Sequence, residues 1–370
     1  MHLLPPNASE LEKAFSNAAD FSPRLDPPVT IMRGLKYIGT PPEWLPFLIY
    51  EYGLGELSPY VPDQWQLIRK GIAWQRVRGT PGAISRGLDW IGYGATLEEP
   101  PIRRKRWHLL QLELDRTRDA EEPDLERIEA VTQLSVPLRT HFWRGYHTYD
   151  VRALEYGYTR TSETLIGDYS GVRIAPDHAK WSFGRLYEHE YTLTEADLTA
   201  LGVWIAPVPE VVVQGWEAVE WPDSAWSAID ALERQQAIID AIYAMTAWVT
   251  FVNADGDVIG HRRARAWHRT KLGSTSAPYI VGQNRRAIAD AGDATGLYIE
   301  VMTGFSDGYG HTAAKWQVRL GATLADPTRP GLLWAQPDEL VGGVVAAEKT
   351  DTIEFGRTVR ERCRALLRVV

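Results

Sequence analysis

The sequence predicts an α+β protein: a small N-terminal helical bundle, a β-rich middle interrupted by a long helix, and a C-terminal helix. Three observations carry that expectation. Residues 34–93 hold short apolar-periodic runs punctuated by Pro and Gly, the pattern of short helices joined by tight turns. From Val131 to Val213 the apolar residues alternate and are interrupted by Gly, Pro and Asp, as in strands. Over 223–248, and again over 350–367, apolar residues return at helical spacing. The chain then divides into a helical region 1–94, a charged connector 95–130, a β-rich region 131–222, the long helix with a second β-rich region 223–335, and a C-terminal helical segment 336–370.

Within the first region, Pro46 lacks an N–H and fits only a first helical turn. A helix therefore begins near Glu43 and runs to Gly53, with Leu45, Leu48, Ile49 and Tyr52 on one face. A second helix from about Asp63 groups Trp65, Ile68 and Ile72, leaves Arg69, Lys70 and Arg76 outside, and ends at Gly79. Thr80 as N-cap and Pro81 as first helical residue start a third, which runs to Gly92 with Ile84, Leu88 and Ile91 inward.

The connector carries the basic run Arg103–Arg106, the acidic run Glu121–Asp124, and one strand or helix around Trp107–Leu114. Beyond it, Tyr149–Tyr156 and Gly171–Ile174 alternate, and Thr194 with Asp197 forms a capping box that opens a short helix to Leu201. Asp223 or Ser224 caps the long helix, along which Trp226, Ile229, Ile239, Ile242 and Met245 repeat. Next comes a hairpin, Val249–Val252 against Val258–His261, turning through Asp255-Gly256. Strands continue to about Leu333. The C-terminal helix, Thr350–Leu367, places Phe355, Val359, Cys363 and Leu366 on one stripe and Arg357, Arg360, Arg364 and Arg368 beside it. A repeated Ala-Lys-Trp at 179–181 and 314–316 hints at two related β subdomains.

Composition narrows the function class. A length of 370 residues suits two or three domains, and a net charge of -8 gives no global footprint for nucleic acid. The single cysteine, Cys363, excludes an intrachain disulfide and fits synthesis in a reducing compartment. No apolar run approaches the roughly 18 residues of a membrane span, and the start lacks the basic and apolar regions of a signal peptide. The 15 Trp and 16 Tyr are compatible with a protein interface, a sugar platform or a β-rich core.

No catalytic or metal constellation stands out, and no cofactor is expected. His141/His147 and His261/His268 miss the four-residue helical spacing of zinc enzymes. Asn253–Asp257 lacks the downstream Glu of a calcium loop, the twelfth position being Ala264. Glu188 and Glu190, flanking His189, are the best carboxylate pair, yet they share one strand face, a poor way to flank a glycosidic bond. Arg262, Arg263, Arg265, Arg269 and Lys271 surround Trp267 and would serve a protein partner or a phosphate surface.

The order of the N-terminal motifs resembles the tail protein I family of contractile-tailed phages. Leu3-Leu4-Pro5-Pro6, an amphipathic helix over Ser9–Ala19, then Pro42, Leu45, Pro46 and Leu48, then Trp65, Arg76-Val77-Arg78-Gly79-Thr80 and Gly92-Tyr93 follow the family's order over about the first quarter of the chain. Two departures stand out: Glu56–Tyr60 replaces an acidic Asp-x-Trp, and the long C-terminal part has no counterpart. The resemblance implies a structural, non-enzymatic component of the tail baseplate wedge, made in the host cytoplasm and carried in the virion. It also implies other wedge proteins as partners of the N-terminal part, and fibre or fibre-network proteins as partners of the C-terminal part, without nucleic acid or membrane insertion. Candidate partner-binding residues are Trp44, Trp65, Arg69, Arg76, Gly79 and Thr80, with Arg360 and Arg364 on the C-terminal helix. The alternative is a glycan-binding or glycan-cleaving tail protein that uses exposed Trp residues.

Overall fold

Capping chemistry and proline placement fix the first helices. In a computed structural model, residues 4–34, 42–61, 63–98, 107–148, 170–207, 221–273 and 277–369 are described, without the side chains of 32–34 and 221–230. The expected alternation over Tyr149–Tyr156 and the basic run Arg103–Arg106 lie outside the described residues. The chain forms two units, Met1–Tyr93 with Glu126–Arg139, and Gly94–Leu125 with Thr140–Val370.

In the first unit, α1 (Glu10–Ala18) opens on a capping box in which Ser9 and Glu12 bond reciprocally. α2 (Ser22–Gly34) follows and contains Pro27 and Pro28. A 3₁₀ turn, Pro42–Trp44, leads into α3 (Leu45–Glu51), and Asp63 caps α4 (Gln64–Gln75). α5 (Pro81–Trp90) has Pro at its start, and α6 (Asp124–Ser135) returns from the connector. Ile49, Leu54, Leu57, Leu67, Trp74, Ala83, Trp90 and Val131 form the core.

α4 is turned relative to the sequence expectation: Leu67, Gly71 and Trp74 are buried, whereas Trp65 is exposed. Contacts explain the rotation. A Cβ at Gly71 would meet Leu54 Cδ1 at 2.5 Å, so the helix approaches on that side. Trp74 Nε1 donates to Ser135 Oγ at 3.0 Å and its ring lies 6.0 Å from that of Trp90. The partner of Trp74 comes from α6, in a stretch the charge pattern places partly in a connector. Gly87 admits α6 in the same way, because its Cβ would meet Val131 Cγ1 at 2.6 Å.

The second unit is strand-rich. Its strands are β1 (Ala95–Glu98), β2 (Leu109–Leu114), β3 (His141–His147), β4 (Val172–Arg173), β5 (Lys180–Thr192), β6 (Ala247–Val252), β7 (Val258–Arg263), β8 (Ala266–Leu272) and β9 (Tyr279–Val281). They continue as β10 (Asn284–Ile288), β11 (Gly296–Met302), β12 (Thr312–Leu320), β13 (Thr323–Leu324), β14 (Trp334–Ala335), β15 (Leu340–Val341), β16 (Val344–Glu354) and β17 (Val359–Arg368). Two helices join them, α7 (Glu195–Ala200), opened by the Thr194/Asp197 capping box, and α8 (Trp221–Tyr243).

The larger sheet runs β1-β2-β3-β5-β17-β11-β8-β10-β9, with β4 on β5; a second runs β14-β7-β6-β12-β16. β2, β3, β5 and β17 pair in parallel and the remaining ladders are antiparallel. The β2–β3 pairing is parallel and so needs a crossover, which contains α6. The main core gathers Leu297, Ile299 and Val301 of β11, Cys363, Ala365 and Leu367 of β17, Phe251 of β6, Trp316 and Val318 of β12, and Ile238, Ile239 and Ile242 of α8. Trp181 and Trp316, the repeated tryptophans, lie buried in different sheets.

The expected C-terminal helix is corrected by this sheet. Residues 344–354 and 359–368 are strands, and β17 lies between β5 and β11. A spacing of four residues is also a multiple of the strand period of two, so Val359 and Cys363 share a face either way. Large-sheet pairing on both edges decides in favour of the strand. The molecule is accordingly richer in β structure than the sequence reading, with its helices concentrated in the first unit.

Candidate assembly surface

Among the described residues, the N-terminal helices bury no side chain. α1 has no buried residue, and Leu11 and Phe15, four apart on one face, are 80% and 75% exposed. Phe21, Leu25, Val29 and Ile31, in and just before α2, are exposed as well. A nine-residue helix is marginal in water on propensity alone, and α2 carries two prolines that each remove a backbone donor. Their exposed apolar stripes are the kind of surface that marks a protein interface.

The packed bundle adds an aromatic rim. Trp44 is half exposed, Phe47 is 71% and Tyr50 is 84% exposed, and the Trp44 and Phe47 rings lie 6.3 Å apart. Trp65, Arg69 and Arg76 are exposed on α4 or just past its end. Gly79 takes a left-handed φ of +88°, and its N–H donates to Ser135 O at 2.9 Å. Arg78 Nε donates to Leu134 O at 2.7 Å, so the turn is stitched to the end of α6. Thr80 occupies the N-cap position, but its hydroxyl donates back to Val77 O at 2.7 Å instead of capping α5. Gly79 and Thr80 therefore act on the geometry of the bundle, while Trp44, Trp65, Arg69 and Arg76 stand on its surface.

Arg360 and Arg364 do not form an exposed helical face. Arg360 is buried, its Nε donates to Thr303 O at 3.1 Å, and its guanidinium lies over Phe305. Arg364 Nε donates to Glu300 Oε2 at 3.0 Å, and its NH1 lies 3.4 Å from Glu188 Oε1. Strand alternation puts Arg360, Arg362 and Arg364 on the face of β17 opposite Cys363, Ala365 and Leu367. Arg362 NH2 donates to Glu300 Oε1 at 2.7 Å and Tyr298 Oη to Glu300 Oε2 at 2.5 Å. Burial alone would raise the Glu300 pKa, but these bonds and the charges of Arg362 and Arg364 hold it below its ordinary value. Cys363 is buried, and burial pushes its thiol well above the usual range.

Glu188 and Glu190 stand on one face of β5 and bind the β9–β10 turn. Gly282 N donates to Glu188 Oε2 at 3.1 Å, Asn284 N donates to Glu190 Oε1 at 3.2 Å, and the Asn284 amide also donates to Glu190. Their arrangement serves the sheet, which curls until this turn meets β5. The basic cluster around Trp267 is dispersed among internal partners: Arg262 pairs with Asp307 at 2.8 Å, Arg269 with Asp240 at 2.6 Å, and Lys271 with Asp293 at 3.8 Å. Asn253 Oδ1 accepts from Asp257 N at 2.7 Å, which makes that loop a hairpin turn. Of the tryptophans, Trp74, Trp90, Trp143, Trp181, Trp248 and Trp316 are core residues, and Trp44, Trp65, Trp107 and Trp204 are exposed.

Residues 4–139 match the family model described as Phage tail protein (Tail_P2_I). The match supports a phage tail protein, a component of the tail. Its last residue coincides with the end of the second segment of the bundle unit, Glu126–Arg139, so it includes the α6 helix that completes the bundle core. Residues 140–370 lie outside the match. No curated protein matches the chain. Among the described residues, no helix is long and apolar enough to cross a membrane.

Proposed function

We propose that this chain is a structural, non-enzymatic component of a contractile-tail baseplate, in the wedge, and that its N-terminal part joins it to neighbouring wedge proteins. One observation carries the reading: within the family match, α1 and α2 present apolar side chains that the described residues leave exposed. Such side chains are stabilised when a second surface buries them, at about 25 cal/mol per Å² of apolar area. The aromatic rim of Trp44, Phe47 and Tyr50 extends the same role onto the bundle. In this reading the β-rich unit supports peripheral parts such as fibres.

The test is a phage carrying Leu11→Ser and Phe15→Ser together. The double variant keeps the thermal stability of the isolated protein and is lost from assembled particles, as read by mass spectrometry of purified tails. Incorporation at the wild-type level contradicts the docking role of α1.

A further inference from the structure

The curl of the large sheet forms a cavity of about 150 Å³ between β8, β9, β10, β11 and β17, lined by both polar and apolar side chains. At its base Glu300 accepts from Arg362, Arg364 and Tyr298. These bonds occupy both of its oxygens and tie two guanidiniums to it. Arg364 also meets Glu188, which reaches in from β5. The third guanidinium, that of Arg286, has a different environment. Its residue is only 5% exposed, its carbon lies 3.2 Å from the centre of the Tyr298 ring and 4.7 Å from that of Tyr279, and its NH1 lies 2.7 Å from His268 Nε2. Its Nε is buried with no hydrogen-bond partner, and among the described residues no carboxylate lies within ion-pair distance of it.

Charge sharpens the picture. Burial, and then the neighbouring Arg286, push the His268 pKa down to about 4, so the ring is neutral near pH 7 and its Nε2 accepts from Arg286. Among the described residues, Arg362 and Arg364 pair with Glu300, and Arg364 also with Glu188, whereas Arg286 pairs with no carboxylate. Glu190 is held by Asn284 and does not line the cavity. The Arg286 guanidinium lines the cavity, and a carboxylate is the group whose planar geometry matches a guanidinium. At the mouth, Ile280 and Ile288 are exposed. An anion entering past them meets apolar surface first and charge second.

We propose that this cavity is a carboxylate-binding site: it takes a single carboxylate borne on a short aliphatic group, the carboxylate on Arg286 and the aliphatic part between Ile280 and Ile288. The aromatic rings of Tyr279 and Tyr298 wall the site and hold the guanidinium in place. A single guanidinium without a carboxylate partner suits a monoanion better than a doubly charged phosphate. This site is independent of the assembly role of the N-terminal helices.

The experiment titrates the full chain with butyrate, butyramide and inorganic phosphate at low ionic strength, by calorimetry and by saturation-transfer NMR. Butyrate binds saturably in the millimolar range, and the neutral isostere butyramide binds at least about tenfold more weakly, the scale of losing a charge-assisted hydrogen bond. Arg286→Met keeps the volume and removes the charge, and it lowers butyrate affinity by at least about tenfold. Arg286→Lys keeps the charge without the fork, and its affinity falls between the two. Both variants must show the wild-type near-ultraviolet circular dichroism, which reports the Tyr and Trp packing. Absence of saturable butyrate binding to the wild type overturns the proposal. So does equal binding to folded Arg286→Met, or a preference for phosphate. Should Arg286→Met fail to fold, Ile280→Asp with Ile288→Asp at the exposed mouth gives a second reading: both ligands lose the apolar contact, but two added carboxylates weaken butyrate further than butyramide, and equal weakening of the two overturns the proposal.

Discussion

The N-terminal helices and the large sheet invert the usual distribution of side chains in opposite ways. α1 and α2 hold Leu11, Phe15, Leu25 and Ile31 in solvent, whereas β11 and β17 bury Glu300, Arg360, Glu361 and Arg362. In the first region the unsatisfied interaction is apolar and awaits a partner. In the second, Glu300, Arg362 and Arg364 satisfy one another, while Glu361 and the Nε of Arg286 have no hydrogen-bond partner among the described residues. Burial alone is therefore a poor guide to which residues serve assembly: the exposed apolar stripes are the better candidates, and the arginines of β17 belong to the interior.

Removing the anion from the sheet should give the largest effect. Glu300→Ala leaves Arg362 buried without its carboxylate and costs about 3–5 kcal/mol, measured as a drop in the denaturation midpoint at constant slope. Replacing both partners, Glu300→Leu with Arg362→Met, costs less than Glu300→Ala alone. A single variant as stable as the wild type would remove the contrast between the two regions. By the same logic, Arg364→Glu places a second negative charge beside Glu300 and lowers the denaturation midpoint.

A second, smaller effect depends on pH. Glu361, on the core face of β17, is raised to about 7 by burial, against the opposing charges of Arg185 and Arg118. The Arg185 guanidinium lies 3.2 Å from Glu361 Oε1, yet among the described residues neither oxygen of Glu361 has a hydrogen-bond partner, so the desolvation of the charge prevails. The folded pKa exceeds the unfolded one. Stability from the protonated group is therefore complete below the ordinary carboxylate range and is lost as pH rises through about 7. The loss amounts to roughly 2–4 kcal/mol. Glu361→Gln should abolish it, giving a variant more stable than the wild type at alkaline pH and similar to it in acid. Parallel midpoint-versus-pH curves for the two proteins would refute the assignment.

In the bundle, Gly79→Val forces a β-branched residue into a left-handed conformation and costs about 1–3 kcal/mol. Thermal unfolding of the isolated protein checks it, and an unchanged midpoint would mean that the turn can relax. The smallest effect on stability belongs to α1, where Leu11→Ser with Phe15→Ser should stay within about 0.5 kcal/mol of the wild type. A larger loss would show that the isolated chain already covers this stripe.

Local chemistry was readable from the sequence; pairing across the chain was not. The capping box at Thr194/Asp197, the helix start at about Asp63 and the Asp255-Gly256 hairpin each involve a few consecutive residues, and each is present. The inward face of α4 was not legible because Trp65 and Trp74 are equally apolar, and contacts from elsewhere in the bundle, with Leu54, Trp90 and Ser135, select the face of Gly71 and Trp74. β17 was misread because its spacing of four suits helix and strand alike. The i, i+2 recurrence of Arg360, Arg362 and Arg364 was the available signal for a strand, though alternating charge ordinarily marks a solvent-facing side. The cavity was invisible because Arg286, Glu300 and Arg362 come from three strands whose adjacency only the sheet order supplies.

Hydrogen exchange over residues 10–18 tests the central claim most directly, because it reads the order of α1 itself. In the isolated protein these amides should exchange nearly as fast as an unstructured chain, while those of β11 and β17 stay protected. In purified tails the same nine residues should become protected. Amides of α1 that are equally protected in the free protein, or that remain unprotected in the assembled tail, would contradict the account.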